Sequence, residues 1–141
     1  APAPLAAVIA KAHQTLVFAT PPNLQRAVAF GLRKDVDYFA TLAQNMATQG
    51  TILASGLQRL GFKVLPYQGS YFVMADITPL ANGLDDVAFT RVLTEQARVT
   101  AIPASAFYDA NPPRNLIRFA FCKRAEVLIE ALNRMETWKN R

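Results

Sequence analysis

Arg118 is the residue of this chain whose type and position point most directly to chemistry. It lies in the segment from Asn115 to Lys123, where the alternation predicts a strand. Ile117, Phe119 and Phe121 fall on one side, and Leu116, Arg118, Ala120 and Cys122 on the other. A lone arginine on an otherwise apolar face is costly unless an anion or a carbonyl meets it. Its planar fork of donors matches a carboxylate held by two parallel hydrogen bonds. Arg118 is therefore the first candidate for a ligand contact. Two plainer readings fit the same spacing: the face is open to water, or Arg118 pairs with an Asp or Glu of this chain.

The other chemistry-bearing residues offer less. His13 is the only histidine, set on a helix with no carboxyl group spaced to orient it, and reads as a surface or interface residue. Cys122 is the only cysteine, which excludes an internal disulfide and fits a reducing, cytoplasmic compartment. No His and Asn partners accompany it, so it reads as a small strand residue and not a nucleophile. Lys11, Lys34, Lys63, Lys123 and Lys139 lie in helices, at element ends or in solvated contexts. There is no Gly-rich phosphate loop, no nucleophile elbow and no Cys/His metal cluster. From the residues alone, the chain shows one anion-binding candidate and no complete reaction centre.

With 141 residues the chain is long enough for one real core, and its hydrophobic fraction of 52% against 18% charged is high for a free-standing small domain. That surplus implies apolar surface that meets another domain or subunit. No run reaches the length of a membrane span, so no membrane partner is expected. The net charge of +5 is spread along the chain without a dense basic run, and a nucleic-acid partner is not expected either. Ala1 to Pro4 contains no initiator Met and no charged region leading into an apolar stretch, so it does not read as a signal peptide. The chain is expected to begin within a longer protein.

The elements that must position Arg118 follow from periodicity. Leu5 to Phe18 has helical spacing, with Leu5, Val8, Ile9, Ala12 and Leu16 as its apolar stripe. Thr20 caps a second helix with proline in its first turn, continuing through Leu24 to Leu32. A long helix covers Val36 to Leu60, with Tyr38 or Phe39, Leu42, Met46, Ile52 or Leu53, Leu57 and Leu60 inward, and Gly61 ends it. Strands are expected at Phe62 to Leu65 and Ser70 to Ile77 around a tight connection at Pro66 to Gly69. Asp85 or Asp86 opens a helix reaching about Gln96, and Val99 to Ile102 is a short strand. A loop of about a dozen residues leads to the Arg118 strand, long enough to imply a function. Arg124 to Trp138 closes the chain as an amphipathic helix, with Val127, Leu128, Leu132, Met135 and Trp138 inward. The fold class is α+β: N-terminal helices including one long helix, then a small, mostly antiparallel sheet covered by helices.

Several segments, taken in order, resemble a known family. They are the helix from His13 to Phe18 with Gln25 downstream, the helix end from Leu57 to Val64, and the strand from Gln68 to Ile77. Val99 to Tyr108 and Asn115 to Lys123 complete the set. Together the segments resemble the C-terminal third of class I and II pyridoxal-phosphate aminotransferases of the aspartate-aminotransferase fold, in particular the kynurenine and methionine aminotransferase branch. One departure is the stretch Thr20 to Leu24, which separates Thr-Pro from the matched Gln25 by more than the family's spacing.

The resemblance implies that Arg118 grips the α-carboxylate of an amino acid or 2-oxo acid substrate. It implies that Ser105 and Phe107, from the loop Pro103 to Phe107, line the same pocket. Gly69 and Tyr71 match a strand start that fits a domain interface. The resemblance further implies pyridoxal 5'-phosphate, held by a large domain that this chain does not contain and not expected to bind the 141 residues tightly. By the same resemblance the parent protein is a homodimer, and the chain alone, lacking the Schiff-base lysine, is expected to be inactive. The expected organisation is linking helices over residues 1–34 and a C-terminal small domain over residues 35–141. The competing reading is a non-catalytic α+β module that binds a carboxylate or a protein.

Overall fold

The computed structural model describes residues 1–141. Its elements fall in two compact units, Ala1–Ala40 and Thr41–Arg141.

The first unit is helical. Helix α1 (Ala3–Val17) starts at the N-cap Pro2 with proline in its first turn, where a missing N–H costs nothing. Helix α2 (Pro22–Leu32) begins in the same way, with Pro21 at the cap position and no side-chain cap. Thr20, expected to cap α2, contributes through its carbonyl instead, which accepts from Gln25 Nε2 at 2.6 Å. Neither helix buries a residue. The predicted stripe of α1 is present, but Leu5, Val8, Ile9 and Leu16 are all exposed.

Helix α3 (Val36–Arg59) runs across the division between the units. Of its predicted inward residues, Leu53, Leu57 and the following Leu60 are buried and Met46 and Ile52 half-buried. Tyr38, Phe39 and Leu42 are exposed, contrary to expectation. The helix ends as Gly61 predicts. The Gly61 amide donates to the Gln58 carbonyl and the Phe62 amide to the Leu57 carbonyl, both at 3.0 Å. Gly61 has φ of 96°, the left-handed conformation such a cap needs. Phe62 and Leu57 then enter the same core.

The second unit holds the sheet. Strands β1 (Lys63–Val64), β2 (Phe72–Asp76), β3 (Ile102–Pro103) and β4 (Leu116–Ala120) lie in the order β1-β2-β4-β3. Every neighbouring pair is antiparallel, so the α+β expectation holds. The turn before β2 takes its left-handed residue at Ser70, with φ of 69°, and not at Gly69, where a side chain would meet only open space.

Alternation gives each strand two chemistries. Val73, Ala75, Ile117 and Phe119 point to a core completed by α3 residues and by Phe89, Leu93, Leu128, Leu132 and Met135. The last five come from α4 (Asp86–Val92), the turn after it, and α5 (Ala125–Lys139). Phe62 sits edge-to-face against both Phe89 and Phe119, at centroid distances of 6.1 and 5.6 Å. Helix α4 is shorter than predicted because its last turn widens into a π-helical turn, Leu93–Ala97, closed by left-handed Arg98. In α5, Leu128, Leu132 and Met135 are buried as predicted and Trp138 is half-buried. Val127 is exposed: Leu128, one residue on, takes the inward position.

Candidate functional site

Arg118 occupies the centre of β4, paired in register with Met74 on one side and Ile102 on the other. Its side chain lies on the face opposite the core, and it is half-buried, as are Phe72, Met74 and Leu116. Ala120 and Cys122 on that face are exposed. The face is therefore partly open to water, so the desolvation argued from an apolar face does not arise in full.

The second plain reading, an internal ion pair, is not what the structure contains. The two ion pairs of the chain are Arg114 with Asp85 at 3.9 Å and Arg134 with Glu130 at 2.7 Å, and Arg118 is in neither.

The guanidinium meets aromatic rings instead. Its central carbon lies 4.7 Å from the centroid of Phe72 and 4.7 Å from that of Phe107. Phe72 reaches it because its register partner is Ala120, two residues along β4, which makes Phe72 and Arg118 diagonal neighbours on one face. Phe107 comes from the 3-10 turn Ala104–Phe107 that directly follows β3. Each such contact stabilises an exposed cation by about 0.5–1 kcal/mol. Two ring contacts restrict the rotamers of Arg118, and no carboxyl group of the chain pairs with its N–H donors.

Of the residues singled out from the sequence, Phe107 and Arg118 are brought together. Ser105 sits on the same 3-10 turn, half-buried, and its backbone N–H donates to Asp86 Oδ2 at 2.8 Å. Phe72 and Asp86 were missed. Phe72 reads as an ordinary strand residue until the register is known. The pair Asp85-Asp86 reads only as a helix start, which Asp85 fulfils by accepting from the Ala88 amide at 2.8 Å. Asp86 is fully buried, which its place beside Asp85 at a helix start does not announce.

The base of the site is fixed from the far end of β2. Asp76 Oδ1 accepts from the Thr78 amide at 2.9 Å, from Thr78 Oγ1 at 2.6 Å and from Asn115 Nδ2 at 3.0 Å. Asn115 immediately precedes β4, so this knot ties the start of the Arg118 strand to the end of its neighbour. Burial works to raise the Asp76 pKa, but the hydrogen bonds from Thr78 and Asn115 and the charge of Lys63 outweigh it and hold the group below its ordinary value. No three His, Cys, Asp or Glu residues cluster as a metal site, and no helix is long and apolar enough to cross a membrane.

The second unit is thus an antiparallel sheet with helices on one face and an arginine between two phenylalanine rings on the other. The chain belongs to the class I and II aminotransferase family, whose model matches residues 1–135. It is 36% identical to methionine aminotransferase of Escherichia coli over 96% of this chain and 35% of that protein. It is 37% identical to a probable N-succinyldiaminopimelate aminotransferase of Mycobacterium tuberculosis over 99% of this chain and 37% of that one. The solved structure of N-succinyldiaminopimelate aminotransferase from the same organism superposes with a TM-score of 0.77 at 38% identity, covering 97% of this chain and 36% of that one. The chain thus spans about a third of the length of the relatives it matches.

Proposed function

We propose that this chain is the substrate-carboxylate-binding part of a pyridoxal-phosphate-dependent aminotransferase that moves an amino group between an amino acid and a 2-oxo acid. Arg118 grips the α-carboxylate, and Phe107 and Ser105 border it. The observation that carries this reading is the guanidinium held against the Phe72 and Phe107 rings and bound in neither ion pair of the chain. Family membership supplies the ligand: a carboxylate is the group common to the amino acid and the oxo acid.

Pyridoxal phosphate supplies the electron sink for amino-group transfer when bound. The residues of this chain do not fit its attachment. Lys11, Lys34, Lys63, Lys123 and Lys139 are all exposed, and none offers the desolvated amine a Schiff base requires. In this reading the cofactor is held elsewhere in the protein, residues 1–34 link to that part, residues 35–141 form the small domain, and the 141 residues alone are inactive. The exposed apolar residues of α1 and α2, including Leu16 and Phe30, support further burial in a homodimer. The single free cysteine, Cys122, supports a reducing, cytoplasmic setting.

The test is Arg118→Lys in the whole protein. A point charge replaces a two-pronged clamp, and a lost charge-assisted hydrogen bond is worth about 1.5–3 kcal/mol. KM for amino acid and for 2-oxo acid is expected to rise together by about 10- to 100-fold. Unchanged kinetics in both half-reactions would refute the clamp.

A further inference from the structure

Asp86 is not among the residues proposed to hold the carboxylate, and it is the one charged-type residue of the chain that is wholly buried. Its carboxyl group is also incompletely satisfied: Oδ2 accepts from the Ser105 amide, while Oδ1 has no partner in the protein. An apolar residue would fill such a place without that penalty. What an apolar residue would not supply is an acceptor for Ser105 N–H. That amide needs one, because Ser105 is the second residue of a 3-10 turn and the first amides of a helical turn have no acceptor within it. The same residue holds the other end of the segment, since the Asp86 amide donates to the Arg114 carbonyl at 2.7 Å. Its neighbour Asp85 reaches the Arg114 side chain at 3.9 Å.

We propose that Asp86 is a positioning residue for the anion clamp. By accepting from Ser105 it fixes the turn Ala104–Phe107, which lays the Phe107 ring over the guanidinium of Arg118. The chain of contacts is continuous, from Asp86 Oδ2 to Ser105 N, two residues along one turn to Phe107, then 4.7 Å from ring centroid to guanidinium carbon. The stretch Tyr108–Asn115, which joins that turn to β4, is closed at its far end by the backbone of Asp86 itself. One buried residue thus holds both the turn that carries Phe107 and the far end of the loop that follows it. This inference rests on the carboxylate reading for its purpose, but its geometry is measurable without any ligand.

The experiment is solution NMR of the 141-residue chain, following the Nε–Hε signal of Arg118, which the ring currents of two nearby phenylalanines displace. Both rings lie close to the guanidinium, so Phe107→Leu and Phe72→Leu are each expected to remove a distinct part of the displacement. Asp86→Ala should reproduce the Phe107→Leu value, and Asp86→Asn, whose amide oxygen can still accept from Ser105, should restore most of it. A purely structural role would lower stability in both Asp86 variants and leave the Arg118 signal of the folded protein in place. A wild-type signal in folded Asp86→Ala, or Asn as damaging as Ala, overturns the proposal.

Should Asp86→Ala not fold, hydrogen exchange in the unsubstituted chain decides. A protected Ser105 amide supports the anchor, and one exchanging as fast as an exposed loop amide contradicts it. Titrating the unsubstituted chain with acetate then separates the two readings. An Arg118 signal that depends on Asp86 but ignores acetate keeps the positioning role and removes the carboxylate.

Discussion

The two faces of the four-stranded sheet are built by the same strands and serve opposite ends. On the inner face Val73, Ala75 and Ile117 have no exposed surface and Phe119 retains only 3% of its own. On the outer face Phe72, Met74, Leu116 and Arg118 are all half-buried. The inner face is held by area removed from water, so each of its side chains is answerable to the packing around it. The outer face is held by a few directional contacts, and its arginine is bound by rings and not by a carboxyl group. If Arg118 is the proposed carboxylate clamp, stability and ligand recognition fall to alternate residues of one strand, and substitutions should separate them.

The largest separation is expected between adjacent residues of β4. Phe119→Ala removes a buried ring packed edge-to-face on Phe62 and should lower the unfolding free energy by about 3–5 kcal/mol, read by denaturant titration. Arg118→Lys keeps a cation beside both rings and should change stability by less than about 0.5 kcal/mol. Comparable losses at the two positions would erase the distinction between the faces.

A smaller effect belongs to the helix that carries Asp86. Asp85→Ala removes the oxygen that accepts from the Ala88 amide and should cost about 1 kcal/mol, measured by the same titration.

The smallest effect is a pH dependence at the far end of β2. The folded-state pKa of Asp76 lies below its unfolded value, so the stability it contributes is fully present above about pH 4. That contribution is lost as pH falls further, through the depressed folded value. Asp76→Asn should flatten the stability-against-pH curve of this acid limb and leave it unchanged near neutrality. An identical acid limb in the two proteins would show that the Thr78 and Asn115 hydrogen bonds do not favour the ionised form.

Much of this arrangement is legible in the sequence because periodicity reports which residues share a face. The alternation from Leu116 to Phe121 separates Arg118 from the core residues, and Gly61 marks the helix end it occupies. Periodicity does not report what covers a face. The stripe of α1 is regular, yet its residues stay exposed, and Tyr38, Phe39 and Leu42 of α3 do likewise. Register is equally hidden. Nothing in the spacing of Phe72 and Arg118 says that they are diagonal neighbours, because that depends on pairing Phe72 with Ala120. Asp86 was illegible for a related reason: two consecutive aspartates before a helix both suit its N-terminus, and only the fold shows which one caps and which is buried. The widened turn after Val92 depends on backbone hydrogen bonds that no side-chain pattern announces.

The central claim, that the outer face presents Arg118 to a substrate carboxylate, is tested most directly by changing the residue and the carboxylate together. In the whole protein, wild type and Arg118→Gln would each be assayed with an amino acid and with the amine that lacks only its carboxylate. The account predicts that Arg118→Gln lowers kcat/KM for the amino acid by about 100-fold or more and leaves the amine nearly unchanged, because the lost interaction exists in only one of the two. Equal losses for amino acid and amine would mean that Arg118 acts on something other than the carboxylate, contradicting the clamp.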